Sequence, residues 1–454
     1  MPQDTVTVQA EIYDHGTGEY LCFALPPVYA DNPVLEAAGK NVHNIALRDH
    51  QGNPCTCSID SMQIGPQKNG IITFAQERFP VTLEYDVTFN YVDTVWMPPP
   101  YIGEIGGYCP GHYLFAVPVL NPELVNIWRD QIDISVVYDV TEGISFSGDN
   151  RLKATFSNSY ELLFSTFALG GEKLLGGEWG GQEFQIVSLS PDIVLSLPFS
   201  TTVENTVENL LSDMTGSFGT LGWPITAILG VVEGGGIEGY HAFAVMRPDP
   251  DDTLGVFNMV LTHEILHSWI GIRTGDREDP WFKEGITNYL GFLIAKRNNH
   301  CAQSYCESVL LKDIKDSSDV KTYALSDPSN RTFLFSEIDS RTELVYVKGA
   351  QVGMLLDRRL RDGPSGYSLD KVIGAFVRQY DGTAFYRSQW VDFMESMSGS
   401  QVDDIFEKYV DAPGGIPDSV LQDAYSWLAD RGAFGSVAFI AKRRQVDAGL
   451  LFRY

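Results

Sequence analysis

Two histidines four residues apart, with a glutamate beside the first, constrain this chain more than any other feature: His263-Glu264-Ile265-Leu266-His267. Side chains at i and i+4 of an α-helix lie on one face, one turn apart. Both imidazoles can therefore reach a single Zn²⁺ at about 2.0–2.1 Å. Glu264 projects to the adjacent side, where a carboxylate can take a proton from an attacking water. Val260, Leu261, Ile265, Leu266 and Trp269 make the segment apolar, so a helix predicted over residues 254–270 has to be buried.

A catalytic zinc takes three protein ligands and leaves one position open. Glu284, in Trp281-Phe282-Lys283-Glu284-Gly285-Ile286, is the candidate third ligand. The stretch after His267 has room for a loop over 271–278 and a return helix predicted over 280–296. Asp279 suits the N-cap of that helix and Pro280 its first turn. Asp276, Glu278 and Asp279 are rival ligands from the loop. Asn288, one turn after Glu284, is placed to steady a histidine ligand by a hydrogen bond.

Hydrophobic period divides the rest of the chain. Val6, Val8, Ala10 and Ile12 alternate with polar residues, as do Val81, Leu83, Tyr85, Val87, Phe89 and Tyr91, and Ile132, Ile134, Val136, Tyr138 and Val140. Strict alternation marks a sheet with one dry and one wet face, so an antiparallel β domain of sandwich type is expected over residues 1–170. The glycine-dense stretch 170–181, GGEKLLGGEWGG, suggests an irregular connection and a boundary. Beyond it, Val203, Val207, Leu210, Leu211 and Met214 share a helical face, with Thr201 and Glu204 spaced as a capping box at its start. Short strands are expected at 224–233 and 241–246, and helical patterns dominate after residue 300.

Charge narrows the partners. Lys and Arg number 32 against 59 Asp and Glu, a net charge of −27. Such a surface repels phosphate backbones and anionic lipid, which argues against general nucleic-acid binding and against membrane docking. No apolar run reaches the roughly 18 residues of a membrane span. The opening MPQDTVTVQA has neither the basic nor the apolar region of a signal peptide. A soluble protein is expected, its compartment open between cytoplasm and periplasm or secretion. The six cysteines, Cys22, Cys55, Cys57, Cys109, Cys301 and Cys306, match no zinc-binding spacing. The step from Cys301 to Cys306 is a poor one for a bridge inside a single helix, and structural thiols are expected. Asn330-Arg331-Thr332 is a formal N-glycosylation triplet.

The segment THEILHSWIG followed by WFKEGITNYL resembles the gluzincin zinc metallopeptidases, and within them the glycyl-aminopeptidase-like family most, with a related likeness to the aminopeptidase N family. The interval between His267 and Glu284 is somewhat shorter than the aminopeptidase N pattern. Upstream, Gly234-Gly235-Gly236-Ile237-Glu238-Gly239 stands where those families pair an edge strand with the substrate backbone and bind its free α-amine through a glutamate. The resemblance thus implies that Glu238 selects N-termini and that Gly235 and Gly236 border the substrate. Glycines let another backbone approach, and a carboxylate–ammonium contact is charge-assisted. Downstream, Tyr346-Val347-Lys348-Gly349-Ala350 resembles the Y-x-K-G-A stretch whose tyrosine hydrogen-bonds the developing oxyanion.

The resulting expectation is an α+β multidomain chain. Residues 1–170 form the β-sandwich-like domain, 171–300 a thermolysin-like zinc catalytic domain with the histidine helix, and 301–454 a C-terminal helical domain. One Zn²⁺ per chain is expected on His263, His267 and Glu284. Glu264 is the general base, Tyr346 the oxyanion donor, and the substrate a peptide with a free N-terminus, small residues such as Gly or Ala being favoured by the resemblance. A zinc endopeptidase and a catalytically silent peptide-binding protein are the alternatives.

Overall fold

The computed structural model describes residues 5–435 except 13–19, 25–41, 65–66, 76–79, 89–100, 103–104, 119–130, 138–152, 164, 194–196, 232–234, 238, 240, 248, 250–251, 253–254, 272–273, 277–279, 331–340 and 382. Its contacts divide the chain into two compact units, one of residues 1–146 and 150–170, the other of residues 147–149 and 171–454.

The first unit is antiparallel β structure. Val81–Thr88 is the centre of a three-stranded sheet, flanked by Thr5–Ile12 and Val42–Arg48. A four-stranded sheet runs Cys57–Ile64, Gln67–Ala75, Tyr20–Ala24, Val117–Pro118. The predicted alternation is visible directly: Val81, Leu83, Tyr85 and Val87 are buried while Glu84 between them is exposed. Phe23 and Ile72 of the second sheet join Val8, Ile12, Leu83 and Val87 of the first in one apolar core, as two sheets with facing dry sides must. Tyr85 carries its polar end inward and satisfies it, donating to the Leu114 carbonyl at 2.8 Å and accepting from the Ala116 amide at 2.7 Å. Phe89, Tyr91, Tyr138 and Val140 of the predicted runs lie outside the described residues.

The glycine-dense stretch of the second unit is a strand, not the irregular connection expected. Glu172–Trp179 pairs antiparallel with Gln182–Ser188. Gly180 and Gly181, at φ of +60° and +77°, form the two-residue turn between them, a backbone shape open to glycine and closed to most residues. Three more strands complete a five-stranded mixed sheet: Ile225–Leu229 and Ala242–Val245, both parallel to their inner neighbours, and Gly236–Ile237, antiparallel on the edge. The helix Leu197–Phe218 makes the crossover between Gln182–Ser188 and Ile225–Leu229. It starts four residues before Thr201, so Thr201 and Glu204 lie inside it rather than capping it.

Residues 171–300 and 301–454, expected as separate catalytic and helical domains, share one apolar core in this unit. It runs from Phe184 and Leu210 through Trp269 and Trp281 to Leu356, Phe406 and Leu428. Asn330 is fully buried there. Its amide donates to the Ala324 and Leu325 carbonyls and its carbonyl accepts from Arg341, so the folded chain presents no glycan acceptor at that triplet. No helix among the described residues is long and apolar enough to cross a membrane.

Candidate metal centre

The helix Val256–His267 carries both histidines and Glu264. Asp252 caps its start, one carboxylate oxygen accepting from the Gly255 amide and the other from the Phe257 amide, each at 2.9 Å. Every residue from Met259 to His267 is buried, which an apolar helix with few charges permits. His263, Glu264 and His267 are therefore polar side chains held inside the protein, where desolvation demands a partner.

The two imidazoles share one. The Nε2 atoms of His263 and His267 lie 2.9 Å apart, and Glu284 Oε2 stands 3.6 Å from the first and 3.5 Å from the second. Ligand atoms about 2.0–2.1 Å from a tetrahedral Zn²⁺ stand about 3.3 Å from one another, so the triad fits the ion in both donor type and spacing. These three form the one His, Cys, Asp or Glu cluster of metal-binding geometry among the described residues. Of the rival ligands, Asp276 has its backbone paired with Phe385 in a two-residue strand; Glu278 and Asp279 are outside the described residues.

Electrostatics suit a cation. Burial, and then the neighbouring His267, push the His263 imidazole down to about 4 despite Glu284, leaving it neutral and able to donate a lone pair at physiological pH. Burial opposes ionisation of Glu284, but His267, His263 and Lys283 outweigh it and hold the carboxyl well below the usual range. The two carboxylate oxygens divide their work: Oε2 faces the imidazoles, and Oε1 lies 3.6 Å from the Lys283 ammonium. His267 Nδ1 donates to the Ile270 carbonyl at 3.1 Å, which fixes the ring and leaves Nε2 as its ligand atom.

Glu284 sits in a π-helical turn, Phe282–Ile286, that runs straight into the helix Thr287–Arg297. Tyr346 sits in another, Glu343–Lys348, leading into Gly349–Asp362. The sequence predicted plain α-helix at both places; such wide turns re-aim one side chain and recur at functional sites. Tyr346 is buried, its ring stacked on His263 with centroids 6.1 Å apart and planes at 29°. Asn288, expected to steady a histidine, donates instead to the Tyr346 carbonyl at 3.3 Å, tying the two turns together.

Gly236 is on the edge strand as expected, pairing with Val245, while Gly235 accepts a bond from the Met246 amide. Its neighbour on the other side is Glu264: a β-carbon on Gly236 would come within 2.6 Å of the Glu264 carboxylate. Glu238 lies outside the described residues. Sequence reasoning missed Lys283 and the packing roles of Gly285 and Gly349, although all three stand inside the quoted motifs. An acidic ligand followed by Gly was the available signal.

Residues 249–409 match the family model described as the Peptidase family M1 domain. A curated relative, aminopeptidase N of Haemophilus influenzae, is 25% identical over 205 residues, which are 43% of this chain and 22% of that protein; the chain spans about a fifth of its length. Among solved structures, an aminopeptidase N family protein from Idiomarina loihiensis superposes with a TM-score of 0.68 at 14% identity, over 92% of this chain and 76% of that one. An M1 zinc metallopeptidase variant from Deinococcus radiodurans gives a TM-score of 0.57 at 12% identity, over 91% of each chain. At such identities the likeness is one of fold, with an N-terminal β domain and a helical C-terminal region.

Proposed function

We propose that this chain, whose residues 249–409 carry a peptidase family M1 domain, is a zinc-dependent aminopeptidase that removes single residues from the N-terminus of peptides. The observation that carries the reading is the convergence of His263, His267 and Glu284 within 2.9–3.6 Å of one another, with Glu264 next to His263 on the same buried helix. Bound there, Zn²⁺ supplies Lewis-acid polarisation of the scissile carbonyl and makes a water nucleophilic at neutral pH.

The chain's own groups do the rest. Glu264 takes the proton of the attacking water and returns it to the leaving amine. Tyr346, beside His263, donates a hydrogen bond from its phenol to the carbonyl oxygen as negative charge builds there. The edge strand Gly236–Ile237 lines the substrate backbone, its glycine allowing close approach. Glu238, by its place in the motif, holds the α-ammonium group. Small N-terminal residues follow from the resemblance and rank as the first to be tried.

The test is digestion of a peptide library with free or acetylated N-termini, with and without a chelator, read by mass spectrometry. Loss of single N-terminal residues from free peptides, abolished by chelator, is the expected result. Equal cleavage of acetylated peptides would point to an endopeptidase. No cleavage by a zinc-loaded, folded protein would point to a peptide-binding role.

A further inference from the structure

Away from the metal centre the second unit holds a pair of thiols that the proposed reaction does not use. Cys301 and Cys306 are buried, and their sulfur atoms lie 3.4 Å apart. The helix Gln303–Leu310 explains the contact. Its N-cap is Ala302, an extended residue at φ −68° and ψ 140°. Cys301 is thus the residue before the cap, and Cys306 the fourth residue of the helix. Those are the two positions whose side chains meet across a helix entrance in a hydrophobic staple. A spacing that is wrong for a bridge inside a helix is right for a bridge across its start.

The segment that Cys301 anchors also touches the helix of the metal ligands. The His300 carbonyl accepts from the Asn258 amide group at 3.1 Å. A β-carbon on Gly255, the N-cap of Val256–His267, would stand 2.1 Å from the His300 oxygen and 2.9 Å from the Cys301 α-carbon. The two backbones are in direct contact.

We propose that Cys301 and Cys306 are an oxidisable pair, closed to a disulfide by a small-molecule disulfide, and that the closed bond fastens the start of the metal-binding helix. Closure needs the sulfurs to approach from 3.4 Å to the bond length of about 2.05 Å, within reach of side-chain rotation at a helix entrance. In the reaction, the Cys301 thiolate attacks one sulfur of the oxidant and expels a thiolate, leaving a mixed disulfide. The Cys306 thiolate then attacks the Cys301 sulfur and expels the second thiolate. The two protons from the cysteines end on the two departing thiolates, so one disulfide and two thiols become one disulfide and two thiols.

The test equilibrates the folded wild-type protein with mixtures of reduced and oxidised glutathione, quenches it in acid, and alkylates it after denaturation. Trypsin cutting after Arg297 and Lys312 places both cysteines on one peptide. The expected result is a switch of that peptide, as glutathione disulfide rises, from doubly alkylated to an unalkylated form lighter by two hydrogens. Oxidation should also slow hydrogen exchange of the Met259 amide several-fold and raise Tm by a few degrees, changes that Cys301→Ser does not show. A peptide doubly alkylated at every glutathione ratio, or one that stops at a glutathione adduct, overturns the proposal. Formation of the bond with no change in Met259 exchange overturns the link to the metal-binding helix.

Discussion

The α-carbon of Gly236 rests on the carboxylate arm of Glu264: a β-carbon there would lie 2.4 Å from Glu264 Cγ and 2.6 Å from Oε1. The edge strand and the histidine helix thus fix Glu264, the proposed general base, between them. Glu264 is buried on a helix packed all round, so it has little room to give way. Gly236→Ala is expected to lower kcat by about 100-fold or more, the scale of a misplacement near 1 Å, with zinc content unchanged because no ligand is touched. Steady-state kinetics beside metal analysis decides it. A variant with wild-type kcat would show that Glu264 does not need its present position.

Gly285 and Gly349 bring the two π-helical turns together backbone to backbone. A β-carbon on Gly285 would lie 2.5 Å from the Gly349 α-carbon and 2.8 Å from the Val345 carbonyl oxygen; one on Gly349 would lie 2.8 Å from the Gly285 α-carbon. Each glycine follows a chemical residue closely, Glu284 in one case and Tyr346 in the other. Alanine at either position should cost about 1–3 kcal/mol through overpacking. The double variant should lose less than the two losses added, because once the backbones have parted the second methyl finds space. Urea unfolding measures all three; strict additivity would mean that the two turns adjust independently.

Where the chemistry was legible, it was local. His263 and His267 declare a shared face by their spacing alone, and the alternation Val81, Leu83, Tyr85, Val87 declares a half-buried strand. What the sequence hid was non-local. Glycine density in 172–179 argues against a strand by propensity, but pairing with Gln182–Ser188 overrides it. Gly285 and Gly349 are 64 residues apart, so no window contains the contact that requires both. The wide turns at Glu284 and Tyr346 leave no trace in hydrophobic period. The thiols Cys301 and Cys306 meet because the helix entrance falls between them, at Ala302, a boundary that hydrophobic period does not mark.

Metal binding should be readable as stability. An ion that binds the folded triad and not the unfolded chain adds about 2.7 kcal/mol when present at a hundred times its Kd. Chelation should therefore lower the Tm of the wild-type protein by several degrees, and zinc should restore it. Glu284→Gln should lose most of that increment, since a neutral amide replaces the anionic ligand. Glu264→Gln should keep the increment while losing at least about 100-fold in kcat. Calorimetry with and without zinc separates the two carboxylates; an increment that survives Glu284→Gln would remove Glu284 from the ligand set.

Lys348 gives a pH signature independent of the metal. Its side chain is fully buried, donates to the Ala412 carbonyl at 3.1 Å, and has no ion pair with a carboxylate among the described residues. Burial lowers its pKa to about 8, against about 10.4 for an exposed lysine. The folded state then holds this proton less tightly than the unfolded chain does. The penalty of burying the charge is present in full below pH of about 8 and is relieved as pH climbs towards about 10.4, so its contribution to stability rises with pH across that window. Lys348→Met removes the charge and keeps the bulk. Near pH of about 7 the variant should be at least as stable as the wild type, and the wild type should gain on it between pH of about 8 and 10. Urea unfolding of both proteins at the two ends of the window measures the difference. A gap that stays constant with pH would mean that the ammonium group keeps its ordinary affinity for the proton inside the fold, and that the Ala412 carbonyl solvates it as well as water does.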